Sequence, residues 1–280
     1  MLYICATPIG NLEDITLRVL RVLKEVDLII AEDTRQTKKI LSYYQIANKL
    51  VSLHKYNEHA KSDYLISLLE KGKELALVSD AGMPGISDPG VELIQKVIAA
   101  KLPFTVLPGA SAVTTAVVQS GLLTGPFYFY GFLSRKQKQV NQALTELASI
   151  TCPLIFYEAP HRLLATLKAL EQNLGNRKCA VSRELTKMFE ETRRGYLSDM
   201  IDYYSYNQPR GEFVITVAGY AEKAGEQRNL DDIHIQQQLM ELISRGMTKK
   251  EAVKEVAKQL GVSRNEIYQL ALDLPVKQKE

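Results

Sequence analysis

Short apolar runs alternate with stretches of helical spacing through residues 1–120, and this rhythm constrains the fold more than any other feature of the chain. The runs are Leu2–Thr7, Asp27–Ala31, Leu50–Leu53, Glu74–Val78 and Phe104–Leu107. Between them, Ile15, Val19, Val22 and Val26 recur at helical spacing behind Asp14, which is expected to cap that helix. Further helices are expected over Gln36–Tyr44, Ser62–Lys71, Val91–Ala100 and Val113–Gln119. Strands joined through helices run parallel and are covered on both faces, so an α/β domain with a parallel sheet is predicted.

Gly121–Pro126 holds two glycines and a proline and reads as a linker. A second α/β unit follows, with strands at Tyr128–Phe132, Leu154–Tyr157, Cys179–Ser182 and Glu212–Ala218 and helices over Gln137–Ala148, Arg162–Asn173 and Tyr196–Tyr206. Beyond Glu222 the spacing is helical only, over His234–Ser244, Lys249–Leu260 and Arg264–Leu272. Thr248 with Glu251, and Ser263 with Glu266, have the spacing of capping boxes. This helix-turn-helix outline serves a nucleic-acid contact or a small packed bundle equally well. The expected domains are 1–120, 121–225 and a helical tail, 226–280.

Hydrophobic residues make up 46% of the 280, ample for buried cores, and the net charge of +3 is too small by itself to indicate nucleic acid. Cys5, Cys152 and Cys179 show no metal-ligand spacing, nor do the four histidines, so no metal site is predicted. The first residues lack the basic and apolar segments of a signal peptide and no run is long enough to span a membrane. A cytoplasmic location is expected.

The loop Ser79–Gly90 carries three glycines and two prolines in twelve residues at the carboxyl end of a strand. Most strand-to-helix connections run about 2 to 6 residues, so this one is read as a binding loop. Asp80 and Asp88 add acceptors to it. The chain has no G-x-G-x-x-G after its first strand, no Walker A sequence and no G-x-S-x-G. Hydride transfer, nucleotide hydrolysis and acyl transfer therefore lose support. A cofactor with no phosphate to cradle, held by backbone and small residues of several loops, remains; S-adenosylmethionine fits that description.

Five segments occur in order: Ala6–Asp14 (ATPIGNLED), Ala31–Arg35 (AEDTR), Ser79–Gly90 (SDAGMPGISDPG), Leu107–Ser111 (LPGAS) and Tyr157–Arg162 (YEAPHR). Together they resemble the tetrapyrrole methylase superfamily, and within it the branch that methylates small-subunit ribosomal RNA. The resemblance spans the chain, helical tail included. It implies a homodimer of two α/β domains that uses S-adenosylmethionine to methylate the ribose 2′-hydroxyl of a cytidine in the decoding region of 16S RNA, free or in the 30S particle. Cofactor contacts are implied for Asp80, Met83, Ser111, Ala112 and Tyr157, with Pro8 and Ala218 beside them. Asp88, before Pro89, reads as a turn or capping residue. Pro8-Ile9-Gly10 and Ser79-Asp80-Ala81 stand where tetrapyrrole-modifying relatives carry a glycine-rich turn and Gly-Asp-Pro, which favours the RNA branch.

A ribose hydroxyl is a poor nucleophile, so a base or strong acceptor should assist it. Glu158 and Asp33 lead the candidates, ahead of Glu184 and of Lys187, which could act only with a lowered pKa. The alternative for each carboxylate is an ion pair with Arg35, Arg162 or Arg183. Phosphate contacts are expected from Arg18, Arg35, Lys38, Arg162, Arg183 and Lys187, with His161 near them and Phe189 and Tyr196 as stacking candidates. Two other functions stay open from the residues: methylation of a tetrapyrrole or other small molecule, and a non-catalytic RNA-binding role in assembly.

Overall fold

Period-two alternation along each short apolar run sends successive side chains to opposite faces, and helices cover both. In the computed structural model, described for residues 1–54, 56–123, 125–221, 226–260 and 264–271, strands β1 (Leu2–Cys5), β2 (Leu28–Ala31), β3 (Leu50–Ser52), β4 (Leu75–Val78) and β5 (Phe104–Leu107) form one sheet. Its order is β3-β2-β4-β1-β5, parallel throughout. Helices α1 (Leu17–Glu25) and α2 (Thr34–Tyr43) bury Val19, Leu23 and Leu41 against Cys5, Ala76 and Val78. Helices α3 (Glu58–Glu70) and α4 (Val91–Ala99) bury Leu65, Leu69, Leu93 and Val97 against Ile4, Leu75 and Leu77 on the other face. The chains leaving the adjacent strands β1 and β4 thus pass to opposite faces, which opens a crevice at their carboxyl ends.

After α5 (Ala112–Ser120), a second sheet is built from β6 (Tyr128–Phe132), β7 (Leu154–Glu158), β8 (Lys178–Arg183), β9 (Glu191–Tyr196) and β10 (Phe213–Val217). Its order is β6-β7-β10-β8-β9; only β6 and β7 pair in parallel. Helices α6 (Gln137–Leu147), α7 (Leu163–Leu174) and α8 (Leu197–Tyr206) cover one face, with Leu144, Leu167, Leu170 and Met200 over Phe156, Val181 and Ile215. The other face receives α5: Val113, Ala116 and Val117 pack with Ile155, Val214, Leu185 and Ile9. Both sheets lie in one compact unit, Met1–Tyr220, and Ala221–Glu280 forms a second.

In the second unit, α9 (Glu226–Ser244), α10 (Lys249–Leu260) and α11 (Arg264–Ala271) enclose Leu239, Val253, Val256, Ile267 and Ala271. The box at Thr248 forms: Glu251 accepts from the Thr248 N–H (2.9 Å) and the Glu251 N–H donates to Thr248 Oγ1 (3.4 Å). The expected box at Ser263, and the helix end at Leu272, lie outside the described residues.

Three local expectations change. Asp14 does not cap α1; it sits in a 3-10 turn, Leu12–Asp14, and Thr16 Oγ1 accepts the Val19 N–H instead (3.1 Å). Residues 191–196 form a strand that polar side chains concealed, because β9 is an edge strand paired only with β8. Helix α3 begins at Glu58, ahead of the expected Ser62, and Glu58 Oε1 accepts from the backbone N–H groups of Gly90 (3.0 Å), Glu92 (3.0 Å) and Leu93 (3.3 Å).

Helix α4 has no capping side chain of its own, so this distant carboxylate satisfies its first donors. Glu58→Ala is expected to destabilise the protein by about 2 kcal/mol, the scale of hydrogen bonds to a charged group, as a lower midpoint in urea with an unchanged slope.

Candidate functional site

The crevice is fixed by backbone before any side chain reaches it. The Thr7 N–H donates to the Gly82 carbonyl (2.9 Å), the Gly82 N–H returns to the Thr7 carbonyl (3.0 Å), and Thr7 Oγ1 donates to the Ser79 carbonyl (3.0 Å). These bonds tie the loop after β1 to the loop after β4. Opposite them, the turn after β8 is held over Gly10, where an added Cβ would collide with Lys187. Glu184 (φ 50°) and Thr186 (φ 66°) both adopt left-handed backbone in that turn. Asn11 N–H donates to Thr186 Oγ1 (3.0 Å), so the β8 turn is latched to the β1 loop. Residues held at positive φ without being glycine store strain that the surroundings must offset.

Between these loops lies a cavity of about 390 Å³. Ile9, Met83, Leu185 and Val214 make its walls apolar, and Asp88, Ser111, Tyr157, Glu158 and Glu212 give it polar groups. Ser111 precedes α5 without making a side-chain cap, so its hydroxyl is left for a ligand. Burial, then repulsion from Asp80, pushes the Asp88 carboxyl up to about 6. Burial, then Asp88 and Asp80, raises Glu32 to about 7. Asp80 is raised as well, chiefly by burial. Burial and Asp88 push the Tyr157 hydroxyl up to about 12. Asp88 in the cavity wall and its neighbours Glu32 and Asp80 outside the lining therefore cannot all ionise without strain, and a cation would relieve them.

Met83, Ser111, Ala112, Tyr157 and Glu158, expected at the site, all line the cavity. Asp80 does not: its Oδ1 accepts the Asp33 N–H (3.0 Å), and Asp88 takes the place in the wall. Pro8 is buried and outside the cavity lining, which its neighbour Ile9 joins. Ala218 lies at the far end of the second sheet, its N–H donating to the Lys178 carbonyl (2.8 Å). Because β10 runs antiparallel to β7 and β8, the start of β10, Glu212 to Val214, faces the cavity. Periodicity identifies such a strand but not its direction.

The candidate bases are engaged. Asp33 accepts from the Arg35 N–H (2.8 Å) and is gripped by the Arg35 guanidinium, which holds it down to about 2, far too weak a base for a hydroxyl. It also lies outside the cavity lining. Glu158 is buried, with Oε1 accepting from the Ala159 N–H (2.8 Å) and lying 3.6 Å from Arg162 Nε, and Oε2 accepting from Thr166 Oγ1. Burial pushes Glu184 up, but the Glu212 N–H and Lys187 outweigh it and hold it below the ordinary value. Burial likewise pushes Lys187 down, and Glu212 and Glu184 more than reverse this. Lys187 is therefore not the neutral amine a base requires.

The expected RNA-contacting cations divide. Arg35 is paired with Asp33, Lys187 with Glu184 and Glu212, and Arg183 Nη1 stands 4.0 Å from Glu191. Arg162 donates to the carbonyls of Leu133 and Ser134, 3.0 Å each, which ties the end of β6 to the end of β7. Arg18 and Lys38 are exposed on α1 and α2, and His161 is exposed beside Arg162. Phe189, two residues ahead of β9, and Tyr196, its last residue, are both exposed.

A family profile described as Tetrapyrrole (Corrin/Porphyrin) Methylases matches residues 1–201. The chain is 47% identical over 270 residues to a Halalkalibacterium halodurans protein named Ribosomal RNA small subunit methyltransferase I, covering 96% of this chain and 93% of that one. The chain belongs to this family of methyltransferases. A Bacillus subtilis protein of the same name is 44% identical, with 96% and 92% covered. The tetrapyrrole methylase fold is also seen in the methyltransferase CobJ (TM-score 0.61, 18% identity, covering 80% of this chain and 96% of that one). Diphthine synthase shows it too (TM-score 0.60, 15% identity, 78% and 89% covered). Residues 235–275 match a profile described as RsmI C-terminal HTH domain, so the helical tail of this tetrapyrrole methylase is a helix-turn-helix domain. Among the described residues no cluster suits a metal ion, and no helix is long and apolar enough to cross a membrane.

The raised Asp88 gives a test of the wall's electrostatics. Its folded pKa of about 6 exceeds the ordinary 3.8, so the stability it contributes is complete below pH 3.8 and is lost as pH rises through 6. Asp88→Asn should raise the melting temperature of the ligand-free protein at pH 8, and the gain should vanish by about pH 4.

Proposed function

We propose that this protein transfers a methyl group from S-adenosylmethionine to the ribose 2′-hydroxyl of a cytidine in the decoding region of small-subunit ribosomal RNA, as a cytoplasmic homodimer. The observation that carries the reading is the cavity at the strand ends of a tetrapyrrole methylase fold, in a chain 47% identical to a protein named for small-subunit ribosomal RNA methylation. In this reading residues 1–120 and 121–225 each supply part of the cavity, and 226–280 stands as a third domain.

The residues present suit the cofactor. A volume of about 390 Å³ falls within the range of roughly 300–1,000 Å³ common for small-molecule sites. Ile9, Met83, Leu185 and Val214 would bury its apolar parts, the Ser111 hydroxyl is available to it, and Asp88 faces the cavity as the carboxylate a cationic ligand would ionise. Bound there, the cofactor supplies a methyl group made electrophilic by a sulfonium. The protein's contribution is alignment: in-line displacement gains most from holding the reacting atoms in place. The Thr7–Gly82 bonds and the β8 turn set the two walls, and the apolar side chains keep water from competing with the hydroxyl. Glu158, the one leading base candidate in the wall, acts in this reading by holding Arg162 and the β7 end.

Mapping ribose methylation in small-subunit RNA from cells with and without the protein tests the function, with loss of one cytidine 2′-O-methyl group expected. Cofactor binding without RNA methylation would point to a small-molecule acceptor; no cofactor binding would leave an assembly role. For Glu158→Gln, activity and thermal stability should fall together, because the change breaks a buried, hydrogen-bonded pair. A lost kcat at unchanged melting temperature would instead make Glu158 the proton acceptor.

A further inference from the structure

The cations nearest the cavity are engaged in the fold, since Arg162 and Lys187 are tied to carboxylates or carbonyls and Arg183 faces Glu191 at 4.0 Å. A polyanion must be met elsewhere. The chain that leaves β6 supplies what is missing. Phe132, its last residue, lines the cavity, yet the residue is 55% exposed. Its ring meets Tyr157 in a T-shaped contact with centroids 5.4 Å apart. Immediately beyond it stand Arg135, Lys136 and Lys138, all exposed. Among the described residues none of the three has an ion pair or a side-chain hydrogen bond. The first turn of α6 carries no acidic residue to offset them.

The segment is also rigidly presented. Arg162 holds the carbonyls of Leu133 and Ser134, and Ser134 Oγ accepts the Lys136 N–H (3.2 Å). Three unpaired charges in four residues, held in place beside an exposed aromatic side chain at a cavity mouth, match a nucleic-acid strand: phosphates meet cations, and a base meets a ring.

We propose that residues 132–138 form the RNA contact beside the methyl-donor cavity, with Phe132 stacking on a base of the acceptor strand and Arg135, Lys136 and Lys138 contacting its phosphates. The proposal rests on the RNA reading above and names the surface that reading leaves open. Counterion release gives the test, because each lost phosphate contact flattens the dependence of log K on log salt by roughly 0.7 for single strands.

The experiment measures binding of a small-subunit RNA fragment across a salt series, with methyl transfer and cofactor affinity alongside. The triple variant Arg135→Ala, Lys136→Ala, Lys138→Ala should flatten the slope by about 2 and weaken RNA binding at low salt by roughly tenfold or more. Its cofactor affinity should not change. A control triple, Lys49→Ala, Lys71→Ala, Lys178→Ala, removes the same charge from the opposite strand ends and should leave the slope within error. Phe132→Leu should weaken RNA binding roughly tenfold at an unchanged slope. If the wild-type protein methylates RNA while the first triple keeps its affinity and slope, this surface is wrong and the function stands. If the wild-type protein neither binds nor methylates RNA, the functional reading falls and takes this proposal with it.

Discussion

Two backbone hydrogen bonds between Thr7 and Gly82 set the geometry on which the rest depends. Strands β1 and β4 are neighbours in a parallel sheet, but their chains leave for opposite faces, so nothing in the sheet itself keeps their loops together. The reciprocal pair does so, and Thr7 Oγ1 adds Ser79 to the clamp. With that edge fixed, Ile9 points into the seam with α5 and the second sheet, and Met83 and Asp88 reach the cavity from the other loop.

The acidic wall shows how a binding site differs from a core in what it tolerates. Asp80 raises Asp88, and both raise Glu32, in surroundings that already penalise charge. Elsewhere the protein pairs its buried or half-buried charges: Glu158 with Arg162, Lys187 with Glu184 and Glu212. The unpaired group is thus an exception to the chain's own practice. A local conflict of this kind, retained where a ligand can resolve it, is what consistency across the remaining structure makes visible.

Much of this was legible in the sequence, and the remainder was hidden for identifiable reasons. Buried parallel strands such as Leu75–Val78 read as continuous apolar runs because both faces are covered. The glycine- and proline-rich loop after β4 announced itself because neither helix nor strand can continue through it. Strand β9 escaped because an edge strand of Glu-Thr-Arg-Arg-Gly-Tyr has no apolar pattern, and its ladder with β8 is a tertiary fact. Ala218 was placed at the site on resemblance, but the antiparallel direction of β10 sets it at the far end of the strand and brings Glu212, Phe213 and Val214 to the cavity. Carboxylates and their cations were visible as candidates, but Asp33 with Arg35 and Glu158 with Arg162 show that pairing is decided by geometry that spacing does not carry.

Ile9, Leu185 and Val214 belong at once to the seam between the two sheets and to the wall of the cavity. Any change that reshapes the pocket floor must therefore pass a folding test as well as a functional one. Variation toward new acceptors has a freer path at the rim, through exposed residues such as Ile86 and Phe132, which touch the cavity without holding the halves together. A fold so arranged separates a floor that cannot be altered without cost to folding from a rim that can.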